Sequence, residues 1–117
     1  MFKLLNFLVR KPGMSQADFR NYYETVHRPL AFKAFPQILK HVRNYPEDGG
    51  AMFPEGVDQP WDAIVEIYFR DRKGYEEMQA FMADPVKNKE LVDDSFNFLD
   101  LARCGGLIVD EVVSDRS

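Results

Sequence analysis

The chain has 117 residues, and its 15 Lys and Arg stand against 19 Asp and Glu for a net charge of −4. That length fits one domain, 1–117, and is too short for two. Without a basic surplus to neutralise phosphates, nucleic-acid binding is disfavoured, and the 45% hydrophobic and 29% charged content excludes a disordered chain.

Residues 2–10 read as a first strand, with Leu5, Phe7 and Val9 on one face and Leu4, Asn6 and Leu8 on the other. The same run is too interrupted, by Lys3, Asn6 and Arg10, to be a signal peptide. After a turn at Lys11-Pro12-Gly13, Ser15 caps a helix that carries Phe19, Tyr22, Tyr23, Val26 and Leu30 at helical spacing. Pro29 ends or kinks it near His27, and a short turn continues over 30–35. A second strand is expected over 37–45. Residues 46–60, rich in Gly, Pro and acids, are a loop long enough for a lid.

The clearest strand is 61–70, where Trp61, Ala63, Val65, Ile67 and Phe69 make an unbroken apolar face. Asp71 caps a helix bearing Tyr75, Met78, Phe81 and Met82. Asp84-Pro85 opens a further helical segment to about Leu99, and 107–113 closes the chain as a strand.

The order β-α-β-β-α-(α)-β is the split βαβ, ferredoxin-like pattern of an α+β fold, four antiparallel strands with helices on one face. The other face then carries Leu4, Leu8, Ile64 and Tyr68, or their counterparts, and is too apolar for water. A second copy packing sheet on sheet would cover it, which predicts a homodimer with a barrel-like centre.

The chain is rich in rings, with ten Phe, five Tyr and one Trp, so the domain has either a ring-packed core or a ring-lined pocket. The lone Cys104 excludes an internal disulfide and any multi-cysteine metal centre. No stretch reaches the roughly 18 apolar residues of a membrane span, so a cytoplasmic protein without membrane partners is the expectation. The two histidines and scattered acids lack metal-ligand spacing, and neither glycine pair makes a dinucleotide or phosphate loop, so neither metal nor cofactor is expected.

Two histidines are the candidates for proton chemistry near neutrality. His27 stands one helical turn from Tyr23 on the same side; its plain alternative is a helix-end residue bonding a loose carbonyl. His41 lies in the second strand and could equally be a surface residue. Asp62, at the start of the strongest strand, could orient a histidine or simply be solvated, and Glu66 needs a partner among its apolar neighbours. Phe19, Tyr23, Trp61 and Phe69 are core rings by default and pocket walls if a pocket exists.

The pattern Phe19-x-x-Tyr22-Tyr23-x-x-x-His27-x-Pro29-Leu30-Ala31 resembles the signature helix of the EthD family. The strand 61–69, the segment Asp93-Asp94-Ser95-Phe96 and the last strand ending near Glu111 resemble it too, so the likeness covers nearly the whole chain. It implies a dimeric α+β barrel with a pocket between sheet and helices. Relatives in the superfamily include methylmuconolactone isomerases, cofactor-free monooxygenases and polyketide cyclases, and many family members are labelled as oxidoreductases. His27 matches the pocket histidine of the isomerase-like relatives; His41 falls where they carry a tyrosine, and Ile67 where they carry a reactive cysteine.

The resulting expectation is a small enzyme of isomerase, cyclase or oxidoreductase type acting on an aromatic, lactone or polyketide-like compound by His-assisted proton transfer without a bound cofactor. His27 carries the proton, His41 and Tyr23 hold a ligand oxygen, Asp62 steers polarity, and Phe19, Trp61 and Phe69 form apolar walls. The alternatives are a non-catalytic carrier of a hydrophobic ligand and a structural dimer with no ligand.

Overall fold

A computed structural model describes residues 1–116. The elements run β1 (Phe2–Leu8), α1 (Gln16–Tyr22), a wide π turn (Tyr23–His27), α2 (Arg28–Ala34), β2 (Ile38–Asn44), β3 (Ala63–Phe69), α3 (Arg72–Ala83), α4 (Lys89–Ser95) and β4 (Gly105–Val109). Local chemistry sets the starts. The Ser15 hydroxyl accepts from the Asp18 N–H at 3.0 Å, and the Asp71 carboxylate accepts from the Gly74 N–H at 3.2 Å. The Asp84 carboxylate accepts from Val86 and Lys87, turning the chain where a helix start was expected; α4 itself begins at Lys89. Pro29 does not end the first helix. The chain widens into the π turn ahead of it and continues to Ala34.

The strands form one antiparallel sheet in the order β2-β3-β1-β4. This is the ferredoxin-like arrangement, but the sheet is open: β2 and β4 are its two edges, and it does not close into a barrel. β2 and β4 do not pair with each other, because four twisted strands span too little of the arc that about eight need for closure, so the sheet of this chain ends in two open edges. The dimeric α+β barrel expected from the sequence is corrected accordingly.

The expected composition of the uncovered face is corrected in part: Ile64 and Tyr68 lie on it, Leu4 and Leu8 do not. In the register, Leu4 lies opposite Ile67 and Leu8 opposite Ala63, on the side the helices cover. The outer side carries Leu5, Phe7 and Ile64 together with an ion network at its centre. There Lys3 donates to Glu66 at 2.7 Å and also to Glu111, while the Tyr68 hydroxyl donates to Glu111 at 2.8 Å. Lys3 is 8% exposed, and its ammonium, held by the Glu111 and Glu66 carboxylates, titrates well above the usual lysine range. The outer face thus combines apolar side chains with satisfied charges and is less apolar than the sequence alone suggests.

Between sheet and helices, Phe19, Phe69, Phe98 and Val65 are the largest side chains fully withdrawn from solvent. Each contributes about 1.5–3 kcal/mol through burial. Their rings extend to Tyr22, Tyr23 and His27, and that places the polar groups described next at the border of the core.

Candidate functional site

Two polar pairs sit against the ring of Phe98 and the helix face of the sheet. The first joins the π turn to α4. His27 Nδ1 lies 2.9 Å from Asp94 Oδ2, with the two side chains 15% and 11% exposed. A carboxylate only accepts, so Nδ1 carries the proton and donates it. The Tyr22 hydroxyl donates to the other Asp94 oxygen, and the Asn97 amide reaches both Tyr22 at 3.1 Å and Asp94 at 3.4 Å. Burial works against the charge on Asp94, but the hydrogen bonds from Tyr22, His27 and Asn97 outweigh it and hold the carboxyl below its ordinary range. Burial and the neighbouring Asp94 raise the Tyr22 phenol. The His27 ring is fixed on its other side by Phe98, 4.8 Å between centroids. Among the described residues its Nε2 has no partner and, unlike Nδ1 of His41, it is not sealed from water.

The second pair joins the π turn to β2. The Tyr23 hydroxyl and His41 Nε2 are 3.1 Å apart. His41 lies opposite Ile67, so the register turns it toward the helices. Burial, reinforced by Arg43, pushes its pKa down to about 4, and burial raises the Tyr23 phenol above the usual tyrosine range. The ring is therefore neutral near pH 7. If Tyr23 donates to Nε2, one buried donor, the N–H at Nδ1, is left unmet; the opposite polarity leaves the Tyr23 proton without an acceptor and Nδ1 without a donor. The first arrangement costs less. Tyr23 also contacts the His27 ring edge-to-face at 5.9 Å, so one tyrosine stands between the two histidines. Beside them Glu24 accepts both Arg43 nitrogens, at 2.7 and 2.9 Å, and the Tyr45 hydroxyl; the Arg43 hydrogen bonds bring its carboxyl down to about 2.

The structure thus gathers His27, His41 and Tyr23, with Phe19 stacked edge-on to Tyr23 at 6.3 Å. It does not bring Asp62 to them. Asp62 accepts the Arg10 N–H at 2.8 Å and its guanidinium at 2.7 Å, and bonds neither histidine. Trp61 packs on Phe7 at 5.2 Å, and Phe69 on Phe2 and Tyr75, all away from the pair. Asp94 is the residue that sequence reasoning missed as a partner. Its signal was a carboxylate on the inward stripe of α4, three residues after buried Leu91 and four before buried Phe98. An open groove of about 370 Å³, lined by Val26, Leu30, Glu90, Asp93, Asp94 and Asn97, reaches this carboxylate from outside. Among the described residues, no helix is long and apolar enough to cross a membrane.

Known proteins share this arrangement of elements. A structure of an EthD-family protein from Bacillus halodurans superposes with a TM-score of 0.63 at 21% identity, covering 96% of this chain and 100% of the other. An EthD-like protein from Ralstonia eutropha gives 0.62 at 18%, covering 99% and 96%. A protein from Arabidopsis thaliana gives 0.65 at 13%, covering 99% and 100%. At these identities the likeness shows the fold alone. In sequence, the chain is 31% identical over 117 residues to the decarboxylase claH of Passalora fulva, covering 91% of this chain and 74% of that protein. The EthD domain matches residues 11–102, a span that holds both histidines, Tyr23 and Asp94, and the chain therefore belongs to the EthD family.

Proposed function

We propose that this chain is a small enzyme that transfers a proton to carbon in an aromatic or polyketide-like acid, with His27 as the proton carrier and loss of carbon dioxide as the net result. The observation that carries the reading is the His27–Asp94 pair: Nδ1 is fixed to a carboxylate and Nε2 is left free. A carboxylate behind an imidazole fixes its tautomer and orients the ring, so that the other nitrogen faces the substrate, as a general acid requires. The similarity to a protein named as a decarboxylase supports the choice of reaction.

In this scheme the proton on Nε2 adds to the carbon that bears the carboxylate. The bond to the carboxyl carbon then breaks, its electron pair returns to the ring or enol, and carbon dioxide leaves. Water restores the imidazole proton. A hydroxyl ortho to the carboxylate, or the enol hydroxyl of a β-keto acid, stabilises the developing charge and makes the carbon unsaturated so that it can take the proton, which defines the substrate class as ortho-hydroxyaryl carboxylates and the enol forms of β-keto acids. The neutral His41, with its unmet N–H, and Tyr23 supply hydrogen bonding for that oxygen once the ring cluster admits a ligand. The earlier assignments to oxidoreductase or isomerase chemistry are set aside. Ile67 is buried hydrocarbon where isomerases of this kind need a reactive thiol, and Cys104 bonds backbone groups near Val9 instead of facing the pair.

Carbon dioxide release measured across a panel of such acids, with wild type and His27→Ala side by side, tests the reading. Release by wild type that falls at least a hundredfold in the variant supports it; equal release by both contradicts it. A non-catalytic carrier is favoured by one observation, a groove of about 410 Å³ between α3 and the β1–β4 edge, with Leu4, Tyr75, Met78, Met82 and Ile108 in its lining and no acid, lysine or histidine. Binding of hydrophobic acids without turnover supports that second reading.

A further inference from the structure

Val26 lies seven residues beyond Phe19 in one continuous helical run. Seven residues of a straight α-helix fall only about 20° short of two turns. A straight helix would therefore carry Val26 inward beneath buried Phe19 and swing His27 roughly 100° past it. The structure does the reverse: Val26 is 41% exposed, and His27 faces Asp94. The cause is the π turn Tyr23–His27, in which the Arg28 N–H donates to the Tyr23 carbonyl five residues back. Tyr23 stays buried ahead of the turn, so the surplus residue is absorbed between Tyr23 and His27, and His27 takes the inward place that Val26 would hold.

We propose that Pro29 is the positioning residue that keeps this turn wide and thereby aims His27 at Asp94. In an α-helix the N–H of residue 29 would bond the Thr25 carbonyl. Proline has no such N–H, and its ring collides with that carbonyl. The wide turn immediately before Pro29 avoids both. In α2 no side chain is fully buried, and the half-buried Leu30, Ala31 and Ala34 are what a change of register has to repack. The aim of the ring stands on this geometry alone; its consequence for turnover rests on the function proposed above.

Nitrogen-15 spectra of the imidazole rings at mildly alkaline pH test the proposal, with circular dichroism on the same samples. In wild type the proton sits on Nδ1 of His27, donated to Asp94. In Pro29→Ala the turn contracts, His27 swings outward, the proton moves predominantly to Nε2 as in a free imidazole, and turnover falls about tenfold or more. Exchanging the two residues, Val26→His with His27→Val, on the Pro29→Ala background returns a histidine to the inward position and restores the Nδ1-protonated signal. A His27 signal unchanged in Pro29→Ala overturns the proposal. So does a lost signal that the exchange does not restore, because Pro29 would then act on helix stability and not on aim. If the ring signals follow the expected pattern while wild type itself turns over nothing, the positioning role stands and the proposed function fails.

Discussion

His27 and Asp94 are 67 residues apart in the chain and 2.9 Å apart in the fold. The contact ties the π turn to α4 and, among the described residues, it alone fixes which nitrogen of His27 faces outward. Its charge can be removed while its shape is kept. Asp94→Asn still accepts through its amide oxygen but no longer places a negative charge behind the ring. The rate should fall by about 10–100-fold, less than the 10²–10⁴-fold loss expected for His27→Ala. Steady-state kinetics on the three proteins gives the order. Asp94→Asn as active as wild type would reduce the pair to a helix-to-helix tie.

His41 governs the acid limb of stability. Its pKa is about 4 in the folded protein, chiefly through burial, and about 6.5 when unfolded. Between those values the unfolded chain binds a proton that the folded one refuses. Its contribution is therefore complete above the unfolded value and declines as pH falls toward 4, at no more than about 1.4 kcal/mol per pH unit. Glu24, whose pKa is lowered to about 2 by Arg43, adds a second loss below the ordinary carboxylate range. Urea melts from pH 7 to 5 should slope for wild type and be nearly flat over that window for His41→Gln.

Tyr23→Phe removes the partner of His41 Nε2 and leaves both ring nitrogens unmet in a buried site. A destabilisation of about 1–3 kcal/mol is expected. Replacing both residues, Tyr23→Phe with His41→Phe, should cost less than the sum of the single changes, and a double-mutant cycle measures the difference. Strict additivity would mean that the 3.1 Å contact contributes nothing.

Much of the fold was legible because its strongest signals are local. The alternation Ala63, Val65, Ile67, Phe69 fixes β3 and its buried face, and Ser15 and Asp71 fix two helix starts. That Tyr23 and His27 are neighbours is legible because one helical turn is a short-range fact. Asp94 was not paired with His27, because α4 meets the π turn only in three dimensions. Asp62 was placed at the site because Arg10, its actual partner, lies across a strand pair that no spacing reveals. Val26 was read as inward because a single inserted residue in a helix leaves no mark on apolar periodicity beyond the nearby Pro29. The barrel was inferred from the apolar residues of a bare face, and the ion network of Lys3, Glu66 and Glu111 is invisible until β1, β3 and the residues after β4 come together.

Residues 46–60 form no helix or strand, and two of their backbone N–H groups, Gly50 and Val57, find backbone carbonyls within the loop. Gly49 and Gly56 hold positive φ, where another residue would strain the turn. Amide exchange here should be orders of magnitude faster than in β3, which is paired on both sides. Exchange as slow as that of Val65 would show that the loop is held by contacts beyond the chain's own.

The central claim is that His27 delivers a proton to carbon, and the reverse of that step can be watched without knowing the natural substrate. A resorcinol-type phenol, the kind of product left after loss of the carboxyl group, exchanges its ring hydrogens with deuterium oxide slowly by itself. Proton NMR of that phenol in deuterium oxide should show ring exchange accelerated by the wild-type protein, reduced at least a hundredfold in His27→Ala and partly in Asp94→Asn. Exchange by His27→Ala at the wild-type rate, with both proteins folded, would contradict the account.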